Sequence, residues 1–266
     1  MDMKKILLFW VMILPLCVVC GQSSAVAEKV SETVYKIVVN KSVNVVAVID
    51  GDGVLLYDTG YKGSGEAIEA AVKTFTQLPV KAVYNTHHHS DHTGSNAYFA
   101  ERGVKIYATQ KTIDKLQAAD KMELWSLGEN MNEWSDAHSG SDVTLYMNDE
   151  KVAVVGDMLF EERFPYIDTD AGGDVTVYLE IQGEIISSLP ADVKIIGGHG
   201  RVYTLEEYEA LNSLLWETYD KVKELVMADE SLDAIKKADP LVDYAHLEWG
   251  LVNKDKWVEI IYSSLR

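Results

Sequence analysis

Four of the chain's seven histidines fall within six residues, His87-His88-His89-Ser90-Asp91-His92, directly after an apolar run, Val80–Tyr84, that reads as a strand. Neighbouring imidazoles repel when protonated and waste their hydrogen-bonding capacity in a core. At a strand end they become donors for a divalent cation, with Zn–N bonds of about 2.0–2.1 Å. The spacing His-x-His-x-Asp-His, followed by Gly94, lets alternate residues converge from a tight turn. A solvated histidine-rich loop is the plainer alternative.

The N-terminus carries a second signal. Lys4 and Lys5 precede an apolar run, Ile6 to Val19, that is shorter than the roughly 20 residues of a membrane span. With the small-residue triplet Ala25-Val26-Ala27 it reads as a signal peptide, residues 1–27, cleaved before Glu28. Lipidation and anchoring at Cys20 is the alternative, and an uncleaved anchor a third. Both cysteines, Cys17 and Cys20, lie in this segment, so a chain starting at Glu28 has no thiol ligand, thiolate nucleophile or disulfide. Metal chemistry in such a chain rests on histidine and carboxylate. The expected location is periplasmic or secreted, with no stable membrane insertion after cleavage.

The remainder, residues 28–266, reads as one α/β body. Val43–Ile49 and Val54–Tyr57 flank Asp50-Gly51-Asp52-Gly53 and predict a hairpin. A helix capped by Ser64 carries Ile68, Ala71, Val72, Phe75 and Leu78 at helical spacing up to Pro79. A strand at Val104–Tyr107, a helix near Thr112–Ala119, and strands at Val143–Met147 and Val152–Val155 follow. Asp174–Leu189 fits both periods and is read as helix, and Val193–Ile196 as a short buried strand. Residues 203–266 predict a helical extension, with an amphipathic helix from Thr204 to about Ala228 and helices at Ser231–Ala238 and Lys254–Ser263.

Charge narrows the partners. With 24 Lys+Arg against 42 Asp+Glu the chain carries a formal charge of −18, which opposes binding to nucleic acid and leaves a small molecule as the expected substrate.

The His87–His92 run resembles the signature of the metallo-β-lactamase superfamily. Three further segments are similar to that family's pattern in order and context: His138 in Ala137-His138-Ser139-Gly140-Ser141-Asp142, Asp157 in Gly156-Asp157-Met158-Leu159-Phe160, and His199 in Gly197-Gly198-His199-Gly200. Asp58-Thr59-Gly60 looks like a turn common in the family. The resemblance implies a four-layer αβ/βα sandwich with extra C-terminal helices and the site at the open edge between two sheets. It implies that His87, His89 and His138 hold one zinc, Asp91, His92 and His199 a second, and Asp157 bridges them, with iron or manganese as alternative metals. Asp91 would also orient a hydroxide generated between the cations, which attacks the carbonyl of an ester, lactone, thioester or β-lactam amide.

Other residues are weighed against this frame. His88 is expected to point away from the cations, His246 to be an ordinary packed or surface residue, and Asp58 to hydrogen-bond the motif loop. Tyr166 is a candidate pocket residue or an exposed aromatic, and Trp125 and Trp134 a candidate substrate wall or core. Gly197 stands where the family commonly has Pro, which predicts a looser loop around His199. Between His92 and His138 only one strand is evident, which predicts a shortened first sheet. The competing function is therefore a metal-binding envelope protein impaired in catalysis. A flavin-dependent oxidoreductase is disfavoured because no flavin domain is evident.

Overall fold

The computed structural model describes residues 23–117, 123–126 and 131–266. Most of the expected leader, including Cys17 and Cys20, and the continuation of the 112–119 helix to Ala119 lie outside the described residues. The first sheet holds seven strands in sequence order: β1 Ala25–Lys29, β2 Val34–Val39, β3 Val43–Asp50, β4 Gly53–Tyr57, β5 Val80–Tyr84, β6 Lys105–Ala108 and β7 Leu124–Ser126. Pairing is antiparallel from β1 to β4 and parallel from β4 to β7. The second sheet has the order β12-β11-β10-β9-β8, from β8 Asn132–Ser135, β9 Ser141–Met147, β10 Val152–Gly156, β11 Lys194–Gly197 and β12 Val202–Thr204.

Alternation along the strands creates the layers. Val45 and Ala47 of β3 join a cluster with Ile68 and Phe99, from α1 Gly65–Val72 and α3 Asn96–Ala100. Val46 and Val48, one residue out of phase, instead meet Val152, Val154 and Ile196 of the second sheet. On that sheet's far side Ala153, Val155 and Ile195 pack with α5 Val175–Ser188, α6 Leu205–Met227 and α8 Lys254–Ser264. A period of two thus gives each sheet one face for helices and one for its partner sheet, which makes four layers.

The ambiguous Asp174–Leu189 segment is helical. Asp174 caps α5 by accepting from the Thr176 and Val177 amides, and Val175, Tyr178, Leu179, Gln182 and Ile185 form its buried stripe. Thr204 and Glu207 close a reciprocal capping box on α6. The helix after Ser64 is shorter than expected and stops at Val72. The Thr74 hydroxyl takes the Ala71 carbonyl, and Phe75 leaves the helix to stack on Tyr35 with ring centroids 3.8 Å apart. The expectation of one strand between His92 and His138 is corrected: β6 and β7 of the first sheet and β8 of the second lie there. The Ala25-Val26-Ala27 triplet lies in β1, paired with Val39, Val38 and Ile37. No helix among the described residues is long and apolar enough to cross a membrane.

Candidate metal centre

The seven side chains singled out from the sequence meet at the rim between the two sheets. His87 and His89 lie in the loop after β5, and His89 caps a one-turn helix, α2 Ser90–Thr93, that presents Asp91 and His92. His138 precedes β9, Asp157 follows β10, and His199 follows β11. One group comprises His87, His89, His138 and Asp157 and another Asp91, His92 and His199, each with candidate ligand atoms within 4.8 Å of one another. Asp157 joins the groups: its Oδ1 is 3.3 Å from His92 Nε2, and its Oδ2 is 3.6 Å from both His138 Nε2 and His199 Nε2.

The hydrogen bonds at the outer edge of each ring fix which nitrogen faces inward. His138 Nδ1 donates to the Tyr166 carbonyl at 2.7 Å, and His199 Nδ1 to the Ser42 carbonyl at 3.0 Å. His89 Nε2 donates to Asp168 Oδ2 and His92 Nδ1 to Asp58 Oδ2, each at 2.8 Å. The Thr86 hydroxyl donates to Asp58, so it accepts from His87 Nδ1 at 3.0 Å. Every neutral ring therefore turns a lone pair inward. His89 Nδ1 lies 3.0 Å from both His87 Nε2 and His138 Nε2, a spacing that neutral rings in these tautomers cannot bridge with a proton. Buried His92 Nε2 and Asp157 Oδ1 have no hydrogen-bond partner among the described residues. Converging lone pairs, an ionised carboxylate and orphaned buried atoms fit a divalent cation.

Charge agrees with geometry. Burial opposes the Asp157 carboxylate, but His92 and His199 outweigh it and hold its pKa well below the usual range. Burial likewise opposes charging of His92 and His199, yet Asp157 overrides it, keeping His92 well above its ordinary value and lifting His199 to about 9. Burial, reinforced by His92, pushes His87 well down, and burial takes His138 to about 4. His87 and His138 are thus neutral and ready to donate.

Asp58 supports this arrangement from a left-handed backbone conformation, φ 67°, that aspartate tolerates. One carboxylate oxygen accepts from the Thr86 amide and the other from the Thr86 hydroxyl and His92. Asp58→Asn keeps the shape but replaces an oxygen with a donor. It is expected to misorient His92 and weaken metal binding about 10–100-fold, read by chelator competition. Asp168, which no sequence spacing revealed, anchors His89 with one oxygen, accepts the Ala171 amide with the other, and donates its own amide to the His138 carbonyl. His88 Nε2 points towards the same carboxylate at 3.7 Å, and His246 is an exposed residue in a separate groove with Arg201 and Glu207.

Two expectations change. The loop carrying His199 is not loose: Asn44 Nδ2 donates to the Gly197 and Gly200 carbonyls, and a Cβ at residue 197 would lie 2.8 Å from the Leu159 carbonyl oxygen. Glycine there permits close approach. Trp125 and Trp134 do not wall the site, since Lys105 lies over Trp125 at 4.3 Å and Trp134 donates to Thr144 at 2.8 Å. The cavity beside the cluster, about 310 Å³, is lined instead by Phe160, Tyr166, Trp249 and Leu251 together with Asp91 and His199.

A family model described as the metallo-beta-lactamase superfamily matches residues 39–130. A metallo-beta-lactamase from Pontibacter korlensis superposes with a TM-score of 0.61 at 17% identity, over 72% of this chain and 98% of that one. Over residues 39–130 the chain is similar to the metallo-β-lactamase superfamily, and it shares the fold of that metallo-beta-lactamase. It is similar to a hydroxyacylglutathione hydrolase from Prochlorococcus marinus (strain MIT 9312), 27% identical over 60% of this chain. It is also similar to the metallo-beta-lactamase IND-1 of Chryseobacterium indologenes, 35% identical over 30% of this chain and 34% of that one. The chain spans 64% of the length of the hydroxyacylglutathione hydrolase.

Proposed function

We propose that this protein is an exported, zinc-dependent hydrolase that cleaves an ester, lactone, thioester or β-lactam amide in a small molecule. The supporting observation is the convergence of inward-facing imidazole nitrogens around Asp157. His87, His89, His138 and Asp157 would hold one cation, and Asp91, His92, His199 and Asp157 the other. The all-nitrogen and oxygen donor set favours zinc, with iron and manganese as alternatives. A cation pair, when bound, supplies Lewis-acid polarisation of a carbonyl and a lowered pKa for water. The chain positions the ligand atoms through hydrogen bonds already made, so little reorganisation accompanies the reaction. Asp91 Oδ2, 3.4 Å from His199 Nε2 and lining the cavity, orients the attacking water and accepts its proton.

Elemental analysis of the purified protein, with hydrolysis assays of chromogenic β-lactam, lactone and thioester substrates before and after EDTA, tests the reading. Two equivalents of zinc and an EDTA-sensitive rate support it. A metal-free protein with undiminished hydrolysis, or a zinc-loaded protein inert to the whole panel, overturns it. The export component is read from the mass of the chain in the cell envelope or medium: a start at Glu28 or Cys20 supports export and an intact Met1 opposes it.

Metal affinity is expected to rise with pH. The His199 pKa is raised to about 9, so at neutral pH a proton must leave before Nε2 can donate to a cation. For the His199 proton alone, affinity should climb about tenfold per pH unit up to about pH 9, as measured by titration against a chromophoric chelator.

A further inference from the structure

The cavity wall opposite the histidines is assembled from two distant parts of the chain. Phe160 and Tyr166 come from the segment after β10, and Trp249 and Leu251 from the turn that precedes α8. That turn belongs to the C-terminal helical extension, outside residues 39–130 matched by the superfamily model.

It is held in place rather than draped over the surface. Trp249 Nε1 donates to the Phe164 carbonyl at 2.7 Å, its backbone amide to Val252 at 3.1 Å, and the Phe164 amide to the Leu247 carbonyl at 2.9 Å. Leu247 and Val252 anchor the two ends of the turn in the core. The Arg163 guanidinium lies over the indole at 5.3 Å, and the Trp249 and Phe160 ring centroids are 6.0 Å apart.

Phe160 continues this apolar surface to the metal centre: its ring lies 6.0 Å from that of His199 at 20° and 5.6 Å from that of His138. At the outer end Leu251 is 65% exposed although it lines the cavity. A path from the histidines over Phe160 to Trp249 and Leu251 is therefore apolar, rigid at its centre and open to solvent at its lip.

We propose that Trp249 and Leu251 determine specificity at this site, selecting substrates whose scissile carbonyl carries a bulky apolar arm, aryl or branched alkyl. The inference rests on the hydrolase reading for its position beside the reacting carbonyl, but recognition of the arm is a binding property and can be measured without turnover. The arm lies across Phe160, removes Leu251 from water and meets the face of Trp249. Burial of a phenyl-sized group is expected to strengthen binding about tenfold to a hundredfold over a small analogue.

The test uses zinc-loaded full-length protein, with 4-phenylbutanoate and butanoate as product-like probes in isothermal titration. The wild type is expected to bind the phenyl compound at least about tenfold more tightly, and Leu251→Ala and Trp249→Ala to reduce that preference to within about threefold while zinc content is unchanged. Trp249→Phe, which restores an aromatic face, should recover most of the preference. Leu251→Ala removes only an exposed side chain, so it remains a valid test if Trp249→Ala fails to fold. With a cleavable aryl substrate, Leu251→Ala should raise KM and leave kcat unchanged. Equal binding of both probes by the wild type, or a preference retained in Leu251→Ala and in a folded Trp249→Ala, overturns the proposal. Selective binding that vanishes in the variants, in a protein inert to every substrate, supports the proposal while counting against the hydrolase reading.

Discussion

An Asp157→Ala protein is expected to retain at most one tightly bound zinc and to lose more activity than the roughly 10–100-fold caused by removing a residue that only orients a ligand. The reason is position. Asp157 is buried, and its two oxygens lie between 3.3 and 3.9 Å from inward nitrogens of His87, His92, His138 and His199. Without the carboxylate those nitrogens and any cation face one another with no shared negative charge, in a site too dry to screen them. Asp157→Asn separates charge from packing: it fills the same space and should fail almost as badly. Elemental analysis after dialysis against a zinc buffer, combined with initial rates, reads both effects. An Asp157→Ala protein with unchanged zinc stoichiometry would remove the bridging role.

Gly198→Ala is expected to damage the same centre from the opposite side. A Cβ there would strike Asp157 Oδ1 and lie 2.7 Å from His92 Cε1. The backbone cannot retreat, because the Gly198 amide donates to the Gly156 carbonyl and its carbonyl accepts from the Asn44 amide, both at 2.7 Å. The methyl group must displace Asp157 or His92, at a cost of about 1–3 kcal/mol in stability from overpacking alone. Zinc at the group containing His92 should be lost, while His87, His89 and His138 still take up one equivalent. Thermal melts and stepwise zinc titration distinguish this from simple unfolding, in which both equivalents would disappear.

Local chemistry made much of the fold legible. The Asp50-Gly51-Asp52-Gly53 turn between β-formers, and the amphipathic run that starts at Thr204, report interactions between residues near in sequence. The motif around His87 was legible for the same reason, since its spacing and its strand end are local. Phe75 was misassigned to a helix because its partner, Tyr35, is forty positions away and invisible to periodicity. Asp168 and Trp249 gave no signal at all. An aspartate after Tyr166-Ile167 and a tryptophan in a C-terminal turn become interpretable only once His89 and Phe164 are brought to them. Trp125 and Trp134 are near His138 in sequence, whereas Trp249 reaches the cavity only through the fold.

The stitching of the His199 loop to the first sheet has a wider consequence. Val43 bridges His199, Asn44 grips the Gly197–Gly200 backbone, and buried Lys36 reaches the Gly200 carbonyl, so the rim joins strands from both halves of the chain. An ion shared there would act as a rivet between layers. Its binding energy would be drawn on whenever either half tried to open, so the melting temperature would track free zinc, with about 2.7 kcal/mol gained at a hundredfold excess over Kd. Depletion of the metal in the protein's surroundings would then shorten its lifetime as well as silence it.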